Sequence, residues 1–244
     1  DIIIHLAAVS HSNRSNKDPQ STFDNSFITL QNSLDGARHI GCHFIYFSSS
    51  MVYGNFKQSE VDESSICSPL GIYAALKYSG EKLVIAYNQV FDLPYTIIRP
   101  SALYGERCIS RRVGQIFIEN AITKNDIVIE GDGKDKLDFT YINDLVHGIE
   151  KVITEKNSLN QTFNITYGKG NEINSLIEIL KSEFKKINVI YKKKDKLMPV
   201  RGKLSIEKAK RLINYEPKWN LEKGYINYIK WYKDIFKKSE NAFK

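Results

Sequence analysis

His43-Phe44-Ile45-Tyr46-Phe47-Ser48-Ser49-Ser50 is an apolar run that ends in three hydroxyls. The run suits a strand buried on both faces. In an open α/β sheet, ligands bind at the C-terminal edge of the strands, which is where this reading puts Ser48, Ser49 and Ser50. Further on, Tyr73-Ala74-Ala75-Leu76-Lys77 opens a helical pattern that runs to about Phe91. Tyr73 and Lys77 are four apart and share one helix face. A tyrosine, with a pKa of about 10, is a poor base at neutral pH. An ammonium nearby favours the phenolate, and a serine hydroxyl orients the same oxygen. Such a set moves a proton off or onto a hydroxyl group. In a chain with 14 Tyr and 35 Lys+Arg a Tyr-x-x-x-Lys pair arises easily by chance. The order of the flanking elements therefore carries the reading.

Upstream, Asp1 to Leu6 reads as a buried parallel strand, and Ala7-Ala8 gives small side chains at its C-terminal end. Asp18-Pro19 precedes a helix predicted from about Ser21 to His39, with Phe23, Phe27, Leu30, Leu34 and Ala37 at helical spacing and Gly41 after it. Pro94 to Arg99 is a further strand, stopped by Pro100. The order β-α-β-α-β is that of a parallel, doubly wound sheet. Beyond Tyr104-Gly105 the regularity loosens. The pattern predicts a helix over 113–123, strands over 127–129 and 139–142, and a helix capped by Asn143 or Asp144. A strand at 163–165, a helix at 174–184, a strand at 189–191, a short helix capped by Ser205 and a closing helix over 221–236 follow.

Composition bounds the function. The chain has 244 residues, 42% of them hydrophobic, which suits one large α/β domain with a woven-on lobe. No apolar run approaches the roughly 20 residues of a membrane helix. Cys42, Cys67 and Cys108 are isolated, form neither a zinc spacing nor a disulfide framework, and point to a reducing, cytoplasmic setting. The net charge of +7 gathers partly in Lys192-Lys193-Lys194 and Lys237-Lys238. We read these runs as solvated surface, because no aromatic-basic nucleic-acid pattern accompanies them. His5 and His43 read as packing residues, His11 as a residue that could face the site, and no residue set has metal spacing.

Taken in order, the motifs resemble the NAD-dependent epimerase/dehydratase group of the extended short-chain dehydrogenase/reductase superfamily, whose members act on nucleotide sugars. The resemblance rests on Ile4-His5-Leu6-Ala7-Ala8, Asn25, Phe47-Ser48-Ser49-Ser50-Met51-Val52-Tyr53-Gly54, Tyr73 with Lys77 and then Gly80-Glu81, Arg99-Pro100-Ser101-Ala102-Leu103-Tyr104-Gly105, Asp138 to Leu145, Phe163-Asn164-Ile165, and Lys208-Ala209 to Tyr215-Glu216-Pro217. It spans nearly the whole chain. It implies a Rossmann-like sheet with a small α/β substrate lobe: residues 1–105, with 138–166 returning, as a partial dinucleotide-binding domain, and 106–137 and 167–244 as the lobe. It implies Ser49, Tyr73 and Lys77 as catalytic residues. Leu6, Ala7, Ala8, Asn25, Ser48, Tyr73, Lys77, Pro100 and Leu103 would line the cofactor, NAD or else NADP. Ser50, Met51, Ser101, Ala102 and Arg201 would meet the nucleotide-diphosphate sugar. It further implies a homodimer through helices 21–39 and 73–91.

The chain departs from the family pattern in places. The family's Gly-x-x-Gly-x-x-Gly loop is not in it, so the sequence reads as N-terminally truncated, lacking the first βα units. Leu137 stands where relatives often carry an Arg toward the substrate diphosphate, and Ala102 where many carry Asn. The 4,6-dehydratases place an Asp-Glu pair directly after the catalytic Ser/Thr. Here those positions are Ser50 and Met51, which cannot trade protons in that way. Simple redox at the sugar C4 is what remains: a 4-epimerase, with a 4-ketoreductase as the alternative. A non-catalytic binding or assembly subunit is the reading from a different class.

Overall fold

The structure, a computed structural model, describes residues 1–10, 12–194 and 198–242, with 238–242 described by backbone alone. His11 lies outside the described residues. Four parallel strands form the main sheet, and their order in space is their order in the chain: Ile2–His5, His43–Phe47, Tyr95–Arg99 and Gln161–Asn164. Alternation along each strand sends side chains to opposite faces. Phe44, Tyr46 and Ile97 point to one face, where Leu30, Leu34, Ala37 and Val84 of two crossing helices meet them. Ile45, Phe47, Ile98 and Phe163 share the other core with Leu145, Val152, Ile206, Ala209, Ile213 and Tyr215. The Glu207–Ile213 helix, placed by the sequence within the lobe, thus packs on the sheet.

Among the described residues the first strand, Ile2–His5, pairs with His43–Phe47 alone, and Ile2 and Ile4 in it and Leu6 after it are 41%, 38% and 63% exposed. Ile4 is in register with Ile45. The helices on Ile45's face, Ile142–Thr154 and Glu207–Ile213, cover the strands toward Gln161–Asn164 and leave Ile2 and Ile4 open.

The crossover to His43–Phe47 is longer than its apolar periodicity indicates. A separate helix, Ser12–Lys17, precedes it, and the main helical stretch starts at Pro19, with Asp18 Oδ1 accepting the Ser21 N–H at 3.0 Å. Within it, Asp24–Ile28 is a single π turn before Thr29–Ile40 resumes the α-helix. Such turns add one residue per turn and re-aim the side chains around them. The next crossover is Gly71–Phe91, an uninterrupted helix.

A second core lies away from the sheet. Val113–Thr123, Ile173–Glu183 and Leu221–Ala242 pack around Phe117, Ile127, Leu137, Tyr141, Leu176, Tyr225 and Tyr228. Burying each such side chain contributes about 1.5–3 kcal/mol. Leu137, where an arginine was of interest, is part of this apolar core. The predicted strand over 139–142 is instead Lys136–Asp138, then Thr140–Tyr141, with the helix already starting at Ile142. Its N-cap is Tyr141, and Asp144 inside the first turn accepts the Lys218 and Trp219 N–H groups at 2.7 and 3.0 Å. Likewise Ser205 caps nothing: Glu207–Ile213 has Ile206 at its N-cap. Both acidic and hydroxyl side chains are drawn off by partners far away in sequence.

Candidate active site

The Ser48–Ser50 segment leaves the sheet at the C-terminal edge and is pinned by backbone bonds. Ser48 N donates to Ile98 O at 2.8 Å and Ser50 N to Pro100 O at 2.9 Å. Ser49, extended at φ −161°, caps the short 3₁₀ turn Ser50–Tyr53, and its Oγ accepts the Met51 N–H at 3.2 Å. The Tyr73 phenol faces the Ser49 hydroxyl: burial raises the Tyr73 pKa above its usual value, and Ser49 and then the Arg112 charge work against that rise.

Lys77 behaves differently from the expectation that it acts on Tyr73 as a neighbouring charge. Its Nζ donates to Phe47 O at 2.6 Å and lies 5.1 Å from the centroid of the Tyr46 ring. Burial brings its pKa down to about 8, with Glu81 opposing. The ammonium thus ties the helix to the end of the strand that carries the serines.

Two openings meet here. A cleft of about 450 Å³ is lined by Ala7, Ala8, Val9, Ser10, Arg14, Ser21, Asn25 and Thr29. A slot of about 10 Å³, little more than a water's worth, lies between Val9, Ser26, Tyr46, Tyr73 and Lys77. Val9 borders both, so Tyr73 and Lys77 stand beside the larger cleft. Ala7, Ala8 and Asn25, expected to line the cofactor, border the larger cleft. Leu6, expected there too, is exposed and outside the cleft wall. Ser48 lines neither opening. It is buried, and its Oγ donates to Glu81 Oε1 at 2.5 Å.

Of the substrate-side residues, Ser50 and Ser101 are buried, while Met51 and Ala102 are partly open. Pro100 and Leu103 are partly open as well. Ala102 holds a left-handed φ of 37°. Arg201 is partly buried, and among the described residues its Nε has no hydrogen-bond partner. Burial lowers its pKa to about 10, with Asp135 raising and Arg112 lowering it. His5 stacks on Phe44 and Tyr46, and His43 Nε2 lies 2.8 Å from Thr96 Oγ1, so both are packing residues as read from sequence.

Sequence reasoning missed the far wall of the cleft. Ser21, Asn25 and Thr29 recur every fourth residue, so a helical-wheel reading would have grouped the two hydroxyls with Asn25. Arg112 carried no local signal. It arrives from the lobe, with its Nη2 donating to Ser10 O at 2.9 Å across 102 residues of chain.

A family model described as the NAD dependent epimerase/dehydratase family matches residues 1–166. The chain belongs to this family. An uncharacterized UDP-glucose epimerase of Bacillus subtilis, YtcB, is 30% identical over 246 residues, covering 97% of this chain and 75% of its own length. The UDP-glucuronic acid 4-epimerase of Bacillus cereus, solved in complex with UDP-glucuronic acid and NAD, is similar at a TM-score of 0.91 and 30% identity. That match covers 96% of this chain and 76% of the other. The UDP-glucose 4-epimerase of Thermotoga maritima, solved with UDP-glucose, is similar at a TM-score of 0.91 and 28% identity over 96% of this chain and 78% of the other. The α/β family fold expected from the motif order is thereby established. No helix of the described residues is long and apolar enough to cross a membrane.

Proposed function

We propose that this chain carries the C4 redox site of an NAD-dependent nucleotide-sugar 4-epimerase. The observation that carries this reading is the gathering of Ser49, Tyr73 and Lys77 at the strand edge beside the cleft, with Lys77 Nζ held on the Phe47 carbonyl and Tyr73 and Lys77 lining one slot. The cleft fits the cofactor's nicotinamide half: Ala7 and Ala8 present only methyl groups on one side, and Ser21, Asn25 and Thr29 bring hydroxyl and amide groups. When bound, NAD supplies the hydride acceptor and donor. Tyr73 takes the proton of the sugar's C4 hydroxyl as the C4 hydrogen leaves as hydride, and returns a proton to the C4 oxygen when hydride comes back on the opposite face. No net oxidation results. Ser49 donates to the phenolate form of Tyr73, which is the form that accepts the proton. Lys77 holds the strand end in place.

The buried Nε of Arg201, without a hydrogen-bond partner among the described residues, supports an anionic substrate, because such a donor gains a charge-assisted bond when an anion meets it. Ser50 and Met51 offer no acid/base pair for water elimination, which supports epimerisation over dehydration. We extend the reading to the division into a cofactor domain, 1–105 with 138–166, and a substrate lobe built from 106–137 and 167–244, apart from the Glu207–Ile213 helix, which packs on the sheet. We also extend it to a homodimer through the helices ending at Ile40 and Phe91, whose flanks leave Phe23, Ile28, Ile40, Val90 and Phe91 exposed.

The test is turnover of UDP-glucose and UDP-glucuronic acid deuterated at C4, with added NAD, followed by proton NMR. The reading expects the C4 epimer with deuterium retained and no net NADH. Loss of the label to solvent, a 6-deoxy-4-keto product or no epimer from either sugar would overturn it.

A further inference from the structure

Tyr73, Lys77 and Glu81 recur every fourth residue on the Gly71–Phe91 helix and form one ridge. The third member is the least accessible: Glu81 is 2% exposed. A carboxylate is buried only where it is paired and hydrogen-bonded. Here Arg99 grips it with two bonds, Nε to Oε1 at 2.9 Å and Nη2 to Oε2 at 2.7 Å. The remaining bond of Oε1 is accepted from Ser48 Oγ at 2.5 Å. Arg99 in turn lies at the end of the strand Tyr95–Arg99 and donates to Tyr53 Oη at 3.0 Å, and Tyr53 donates to Asn164 Oδ1 at 2.8 Å. One carboxylate therefore joins the helix, two strand ends and the 3₁₀ turn that follows Ser49.

We propose that Glu81 is a positioning residue for the site: it clamps Ser48 and Arg99 so that Ser49 meets Tyr73 and Lys77 meets the Phe47 carbonyl. The segment Phe47-Ser48 has two successive holds, the Lys77 ammonium on Phe47 O and Glu81 on Ser48 Oγ, and Ser49, next along, faces Tyr73. The ridge thus meets three consecutive residues of the strand end, and Glu81 lines neither opening. Its charge also opposes the burial that lowers Lys77. The groups facing Lys77 are Glu81 and Tyr73 from its own helix, and Tyr46 and His5 from the sheet. Arg99, Tyr46 and Tyr95 face Glu81. The inference rests on the catalytic reading of Ser49, Tyr73 and Lys77.

The experiment compares wild type with Glu81→Gln and with the double variant Glu81→Gln/Arg99→Gln, which spares the Arg99 guanidinium from standing buried without its carboxylate should the single variant not fold. Two quantities are read: kcat and KM for the epimerisation across pH, and the titration of Lys77 by ¹³C NMR of methylated lysines, assigned with Lys77→Arg. The expected result is a kcat lowered at least about tenfold, KM within about threefold, the alkaline limb of kcat moved to lower pH, and a matching downward move in the Lys77 titration. A merely structural glutamate would lower the folded fraction without moving either pH curve. An unmoved Lys77 titration in a folded variant, or kcat within about twofold of wild type, overturns the proposal. Should wild type show no epimerisation, the functional reading fails, and the Lys77 titration decides the positioning claim by itself.

Discussion

The Lys77 ammonium donates to the Phe47 carbonyl at 2.6 Å, so the cation of the site is anchored to the strand end that carries the serines. Because burial brings Lys77 down to about 8, the ammonium is lost just above neutral pH. The folded value lies below the ordinary 10.5, so between the two the unfolded chain binds more protons. The contribution of this group to stability therefore rises as pH goes from about 8 to about 10.5, while the charged form needed at the site disappears. Thermal denaturation of wild type and Lys77→Met across that range should show wild type gaining on the variant with rising pH. Turnover of wild type should fall over the same range. A Tm difference independent of pH contradicts this.

Gly80 is placed where a methyl group has no room. A Cβ there would lie 2.3 Å from Tyr46 Oη and 2.8 Å from Tyr46 Cζ, and that ring lies against the Lys77 ammonium. Gly80→Ala should cost about 1–3 kcal/mol through overpacking, despite alanine's better helix propensity. The measurement is urea denaturation together with turnover; an equally stable variant would show that the ring moves freely.

Ala102 carries a left-handed φ of 37° without glycine's freedom or asparagine's tolerance for that region. Ala102→Asn should stabilise the fold by about 0.5–1 kcal/mol, read as a rise in Tm. A fall in Tm would mean that the partly open site cannot hold the amide.

Arg201 remains charged at neutral pH even though burial lowers it to about 10. With its Nε unpartnered, a substrate diphosphate would gain a charge-assisted bond worth about 1.5–3 kcal/mol. Arg201→Met should raise KM for a UDP-sugar by about ten- to a hundredfold with kcat within about threefold. An unchanged KM would remove Arg201 from the substrate site.

The sheet was legible because two crossover helices and three strands announce themselves by length and period. Ser49, Tyr73 and Lys77 were legible because their elements put them at one edge of that sheet. What periodicity could not supply was cover. The Glu207–Ile213 helix read as part of the lobe, yet the sheet, distant in sequence, is what covers its apolar face. Asp144 and Ser205 read as caps, because a cap signal is local and the partners that claim Asp144, Lys218 and Trp219, are not. Arg112 was invisible for the same reason, as its place over Ser10 depends on how the lobe folds back. The electrostatics around Tyr73 followed suit: spacing puts Lys77 beside it, but the strand carbonyl claims the ammonium.

The central claim, that Tyr73 exchanges the proton of a sugar hydroxyl, is tested most directly by Tyr73→Phe. The phenyl ring keeps the packing and removes only the hydroxyl that faces Ser49. The account predicts a kcat lowered by about 10²–10⁴, as for loss of a general acid–base, with UDP-sugar binding within about threefold by calorimetry. A Tyr73→Phe chain that epimerises within about tenfold of the wild-type rate would contradict it.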